Sequence, residues 1–206
     1  MKKFYKKMRL KKMKEVLVVI DMVKGFVQEG NMYDEGINNI TEEIVNIVKK
    51  FINKDDKEII AFKDVHTESS KELEVFPEHC LEGTIEAELI DQLIPYEKAM
   101  RVFEKNSTSG FVTKKFMKYL RKNKYKINKF VIVGCCTDIC IANFAIPLIN
   151  YINEYNLDID VEVVVNAIET YDAEYHNREE YSNLGLKMMR LNGISLVKKY
   201  NGDKYE

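Results

Sequence analysis

"EVLVVID", residues 15–21, is an almost unbroken apolar run that ends on an acid. A strand wet on one face alternates polar and apolar residues, whereas a strand covered on both faces, as in a parallel sheet, runs apolar throughout. Working outward, the same signature returns in "EIIAFKD" (58–64), "AMRVFEK" (99–105), "KFVIVGC" (129–135), "IDVEVVVN" (159–166) and "ISLVKK" (194–199). Between these runs lie stretches with helical spacing. Ile37, Ile40, Ile44, Ile47, Val48 and Phe51 share one face over 36–53, and Phe111, Phe116, Tyr119 and Leu120 share another. Residues 138–156 read as a broadly apolar helix with a kink at Pro147, and 178–192 as a last helix. Thr84 reads as the cap of a helix to Leu93, and 65–83, with Pro77 and Gly83, as a long loop.

Strands alternating with helices predict an α/β fold, a three-layer αβα arrangement around a central, mainly parallel sheet. No linker or repeat interrupts the pattern, so residues 14–206 are expected to form a single domain. Residues 1–14 carry Lys2, Lys3, Lys6, Lys7, Arg9, Lys11, Lys12 and Lys14 without an acid, while the whole chain of 206 residues has a net charge of −1. The rest is therefore acidic. Residues 1–13 read as a solvated basic extension, and neither nucleic acid nor membrane is expected as a partner. With 46% hydrophobic and 32% charged residues, the composition is that of an ordinary globular protein. No run approaches the roughly 20 apolar residues of a membrane span, and no secretory leader pattern opens the chain. A cytoplasmic location is expected, with Cys80, Cys135, Cys136 and Cys140 as reduced thiols.

In a parallel sheet, ligands bind beyond the carboxyl ends of the strands. Those ends carry Asp21, Asp64, Lys105 and the Gly134–Cys135–Cys136 turn. Each has a plain alternative: Asp21 as a turn cap, Lys105 as a surface lysine, Cys140 as a small core residue. Cys140 also falls near a helix N-terminus, where a thiolate is favoured. Asp64 and His66, two apart on an extended segment, face the same way, and His79 follows. One Asp and two His suit zinc or iron with open coordination positions; they equally describe a turn aspartate and two loop histidines. The three clustered cysteines lack the spacing of a zinc knuckle, and a Cys135–Cys136 disulfide would need a strained ring. "NAIETYDAEYHNREEYS" (166–182) reads as a loop at a pocket or partner surface, with His176 exposed.

"VVIDMVKGF" (18–26), "KDVHTESS" (63–70), "FPEHCLEGT" (76–84), "EKNSTSGF" (104–111) and "VGCCTDICI" (133–141) together resemble the isochorismatase-like cysteine hydrolases, and among them the nicotinamidases. The resemblance covers about residues 14–198 and implies the isochorismatase-like hydrolase fold. It implies a catalytic triad of Asp21, Lys105 and Cys140, and a non-proline cis peptide at Cys135–Cys136. It further implies an oxyanion hole from the Cys136 and Cys140 N–H groups, on a turn shaped and capped by Thr137 and Asp138. Asp64, His66 and His79 match metal positions, and Glu72 is a candidate fourth ligand. Zinc is the metal implied first, with iron or manganese as alternatives. Phe26 matches a pocket aromatic, and Cys135 is placed beside it.

The substrate implied is a small carboxamide, nicotinamide first, and the assembly a homo-oligomer. Val23, Gly25, Val65 and Phe76 depart from the family pattern, and the chain has no Trp. These departures bear on the pocket wall and hence on substrate identity. A metal-free hydrolase on another small amide, and a catalytically idle binding protein of the same fold, are the alternatives.

Overall fold

The computed structural model describes residues 13–202. The basic extension expected over residues 1–13 therefore lies almost wholly outside the described residues. The first strand, β1 (Lys14–Ile20), lies between β2 (Lys57–Asp64) and β4 (Ile127–Cys135). With β3 (Met100–Lys105), β5 (Asp160–Glu169) and β6 (Ser195–Val197), they form one sheet in the order β3-β2-β1-β4-β5-β6. Every neighbouring pair is parallel.

The unbroken apolar run of β1 follows from its position. Val16, Val18 and Ile20 face one core, with Phe116 and Leu120 of α3 (Lys114–Asn123), Phe144 and Leu148 of α4 (Ala142–Glu154) and Met189 of α5 (Arg178–Leu191). Leu17 and Val19 face the other, with Ile44, Ile47 and Val48 of α2 (Thr41–Phe51). A short helix, α1 (Lys24–Val27), follows β1. Two apolar faces covered by helices make the three layers. No helix among the described residues is long and apolar enough to cross a membrane.

Three local expectations change. The helix expected from Thr84 to Leu93 is absent. Residues 88–90 instead run antiparallel beside the segment after β1, where Lys24 N–H donates to the Glu88 carbonyl and Ile90 N–H to that of Met22. Only short 3-10 turns, Ile85–Ala87 and Ile94–Ala99, flank this stretch, and Thr84 closes a turn onto the Leu81 carbonyl. Phe111 belongs to a separate turn, because Thr113 caps α3 by accepting from the Phe116 N–H. The helix expected from 138 opens as a π turn, Thr137–Ile141, in which Ile141 N–H reaches the Cys136 carbonyl at 3.0 Å.

Two details hold the carboxyl edge of the sheet together. Gly134 stands opposite Ile20 with φ +123°, and a Cβ there would lie 2.0 Å from the Ile20 carbonyl oxygen. Only glycine lets β4 approach β1 this closely just before the Cys135–Cys136 turn. Pro147 in α4 has no N–H, which leaves the Asn143 carbonyl without its helical donor. The Ser109 hydroxyl donates to that carbonyl at 2.6 Å, tying the loop after β3 to α4.

Candidate active site

The carboxyl ends of β1, β2 and β3 and the turn after β4 bring Asp21, Asp64, Lys105 and Cys140 into one buried cluster. Lys105 is its hub. Its Nζ lies 2.8 Å from Asp21 Oδ2, 2.7 Å from Asp64 Oδ1 and 3.9 Å from Cys140 Sγ. Asp21 sits in the left-handed region at φ +53°, a conformation aspartate tolerates better than most residues. Its side chain has no well-aligned hydrogen bond among the described residues, only the ion pair with Lys105.

The two buried acids share one cation but differ in their other neighbours, and so in behaviour. Burial pushes the Asp21 carboxyl up to about 7, helped by the neighbouring Asp64 charge, while Lys105 pulls against it. Burial also acts on Asp64, but Lys105 and the two histidines outweigh it and hold that carboxyl well below the usual range. Lys105 is opposed by burial, yet the two carboxylates hold it firmly cationic. The Cys140 thiol is pushed well up by burial, with Lys105 pulling down and Asp21 pushing up. The thiolate expected from the helix N-terminus is thus not the resting form; the sulfur keeps its proton beside an acid ready to accept one.

Asp64 faces a second group with its other oxygen. His66 Nε2 and His79 Nε2 lie 3.0 and 3.1 Å from Asp64 Oδ2. His79 Nδ1 is 2.6 Å from the Pro77 carbonyl, which only accepts, so Nδ1 carries the proton and donates. His66 Nδ1 is bound in the same sense to Asn106 Oδ1 and Ser70 Oγ, each at 3.1 Å. In the neutral rings both Nε2 lone pairs then point at a carboxylate oxygen. Three acceptors converging on one point are what a cation resolves, and outer hydrogen bonds from Nδ1 are how metal-ligating histidines are oriented. Glu72 joins them, and the ligand atoms of Asp64, His66, Glu72 and His79 all lie within 4.8 Å of one another. A Glu72 oxygen also accepts from the Thr108 N–H at 2.7 Å. The donor set fits a divalent metal.

A narrow cavity opens onto this cluster, lined by Phe26, Glu72, Phe76, His79, Cys136, Cys140 and Tyr171 among others. A hollow of about 440 Å³ lies beside it and shares Met32, Phe76 and Tyr171 in its lining. The Cys135–Cys136 peptide is cis. All four cysteines are free.

Cys135, expected at the pocket, is absent from the cavity lining: it is fully buried, and its thiol donates to the Asp21 carbonyl at 3.2 Å. A one-residue step along the turn separates it from Cys136, which does line the cavity. Asp138 does not cap its own turn; its carboxylate accepts from Thr170 and His176. His176, expected to be exposed, is 4% exposed. Its buried place depends on residues 170–181 folding back over the π turn, which no local spacing announces.

A buried thiol, acid and lysine thus meet at the strand ends of an αβα sheet. The isochorismatase domain family matches residues 15–193, and the chain belongs to the isochorismatase family of hydrolases. It is 28% identical to Nicotinamidase 1 of Arabidopsis thaliana over 89% of this chain and 85% of that one. A nicotinamidase/pyrazinamidase of Bacillus subtilis superposes with a TM-score of 0.76 at 25% identity, over 90% of this chain and 100% of that one. The fold is also that of a pyrazinamidase of Pyrococcus horikoshii in complex with zinc, with a TM-score of 0.74 at 23% identity over 91% and 99% of the two chains.

Proposed function

We propose that the chain is a metal-assisted cysteine amidohydrolase that converts a small aromatic carboxamide, nicotinamide first, to its acid and ammonia. The observation that carries this reading is Lys105, bridging Asp21 and Asp64 within 3.9 Å of the Cys140 thiol. The named activities of the Arabidopsis and Bacillus relatives support the substrate class. Asp64, His66, His79 and Glu72 would hold a divalent ion, zinc by its donor set, with iron and manganese as alternatives. When bound, such an ion supplies Lewis-acid polarisation and a fixed point for orienting a substrate lone pair.

The chain's own residues account for the proton and bond changes. Phe26 offers an aromatic face to a ring in the cavity. Asp21 accepts the Cys140 thiol proton as Sγ adds to the amide carbon, and the carbonyl electron pair moves to oxygen. The N–H groups of Cys136 and Cys140 receive that oxygen, and Lys105 keeps the surrounding charge balanced. Collapse re-forms the C=O bond and breaks the C–N bond. The nitrogen leaves as ammonia with the proton held on Asp21, and a thioester on Cys140 remains. Water then adds to the thioester carbon while Asp21 takes one of its protons. The second collapse releases the acid, and the sulfur regains its proton from Asp21.

The test is ammonia release by the purified chain across a small panel of amides, with metal analysis of the same sample. Release from nicotinamide that Cys140→Ala abolishes supports the reading. Release from other amides alone removes nicotinamide as substrate, and activity unchanged after complete metal removal removes the metal's role.

A further inference from the structure

Residues 170–185 close over the turn that carries Cys140. Three contacts meet at Asp138, two residues before the thiol. The Thr170 hydroxyl donates to Asp138 Oδ1 at 2.6 Å, and His176 Nε2 lies 2.9 Å from Oδ2. Gly185 of α5 lies so close that a Cβ would come within 2.8 Å of Asp138 Cα. On its other side His176 Nδ1 donates to the Tyr171 carbonyl at 3.1 Å. The ring thus bridges Asp138 and the Tyr171 carbonyl, and it cannot turn without losing both contacts.

The His176 ring is also held from its faces. Tyr171 stacks on it with centroids 3.9 Å apart and planes 7° apart, and Tyr181 stacks on it at 3.9 Å and 24°. Tyr171 lines the catalytic cavity together with Phe26, Cys136 and Cys140, whereas His176 does not. One buried ring thus touches both the mount of the thiol and a wall of the substrate cavity.

We propose that His176 is a positioning residue that acts in two separable ways. Its hydrogen bond to Asp138 fixes the π turn and so the direction of the Cys140 sulfur. Its stack with Tyr171 and Tyr181 fixes the cavity wall. The inference rests on the reading of Cys140 as the nucleophile, and goes beyond it in assigning work to a residue outside the cavity. A nucleophile misplaced by about 1 Å can cost up to about 100-fold in rate, so the first contact governs kcat and the second KM.

Two variants separate the roles. His176→Phe keeps a ring between the tyrosines and removes both hydrogen bonds; His176→Gln keeps a donor for Asp138 and removes the ring. Kinetics on the best amide, the rate of iodoacetamide alkylation at Cys140 read by peptide mass, and thermal melting are measured for both and for the parent. His176→Phe is expected to lower kcat by about 10- to 100-fold with KM within about threefold, and to change the Cys140 alkylation rate by about fivefold or more. His176→Gln is expected to keep kcat and alkylation within about threefold while raising KM by about fivefold or more. Equal effects of the two variants, or melting shifts with kcat, KM and alkylation unchanged, overturn the proposal. If the parent hydrolyses no amide, the proposed function fails, and the alkylation rates alone still decide the positioning of the turn.

Discussion

At Asp64, two histidines turn their Nε2 atoms to one carboxylate oxygen, at 3.0 and 3.1 Å. At Asp138, a single histidine does so at 2.9 Å, between two tyrosine rings. All three histidines of the chain are buried, and all three face an aspartate. The difference lies in what else arrives. At Asp64 a second imidazole and Glu72 bring further ligand atoms, and a cavity gives access. At Asp138 Thr170 fills the other carboxylate oxygen and aromatic faces close the sides. An aspartate and a histidine in contact are thus no signal of a metal. Convergence of unprotonated donors, with room for a ligand, is the signal.

Predictions that sharpen this contrast run from large to small. Cys140→Ala should remove amide hydrolysis, a loss of roughly 10,000-fold or more in kcat, measured as ammonia release. It should leave metal content unchanged, because the thiol belongs to neither histidine group. Asp64→Asn should strip the metal, read by elemental analysis, and lower kcat/KM by at least about 100-fold. A metal-free parent with full activity would break the comparison at its stronger side.

The pH profile tests the acids that share Lys105. In the proposed mechanism the base is the Asp21 carboxylate, whose pKa burial raises to about 7. The active form is therefore lost as pH falls through that value, so kcat/KM should fall tenfold per unit below about 7 and level off above it. In Asp64→Asn the residual activity should hold to lower pH, because one of the charges raising Asp21 is gone. The smallest effect is the most discriminating. His176→Phe should leave metal content within error of the parent, whereas His79→Ala should lose it.

Much of this centre was legible beforehand, for reasons that can be named. An acid or lysine at the end of an apolar run is conspicuous, and Asp21, Asp64 and Lys105 each end one. In a parallel sheet such ends must meet at one edge. The pattern "VGCCTDICI" carried Cys140, and Asp64 with His66 follows from the period of an extended chain. Glu72 was legible only as a candidate near His79. Thr84 suits a helix cap, yet no helix follows to Leu93, because the backbone at Glu88 and Ile90 pairs with Lys24 and Met22 instead. His176 was misread because polar neighbours surround it in sequence, and its burial comes from Tyr171, Tyr181 and Asp138.

The sequence by itself determined the αβα architecture, the edge on which chemistry occurs and the residue types delivered there. Those follow from short-range periodicity and from the rule that parallel strands end together. Only the tertiary structure decided how the charges divide. Burial and the neighbouring Asp64 charge raise Asp21 against the pull of Lys105, the same lysine helps hold Asp64 low, and burial keeps the Cys140 proton in place. The physical reason is that desolvation and charge pairing depend on distances between segments far apart in the chain. The same holds for the three histidines. Their residue type is written in the sequence, but which pair meets Glu72 at Asp64 and which one sits between two tyrosines at Asp138 is set by what packs around them.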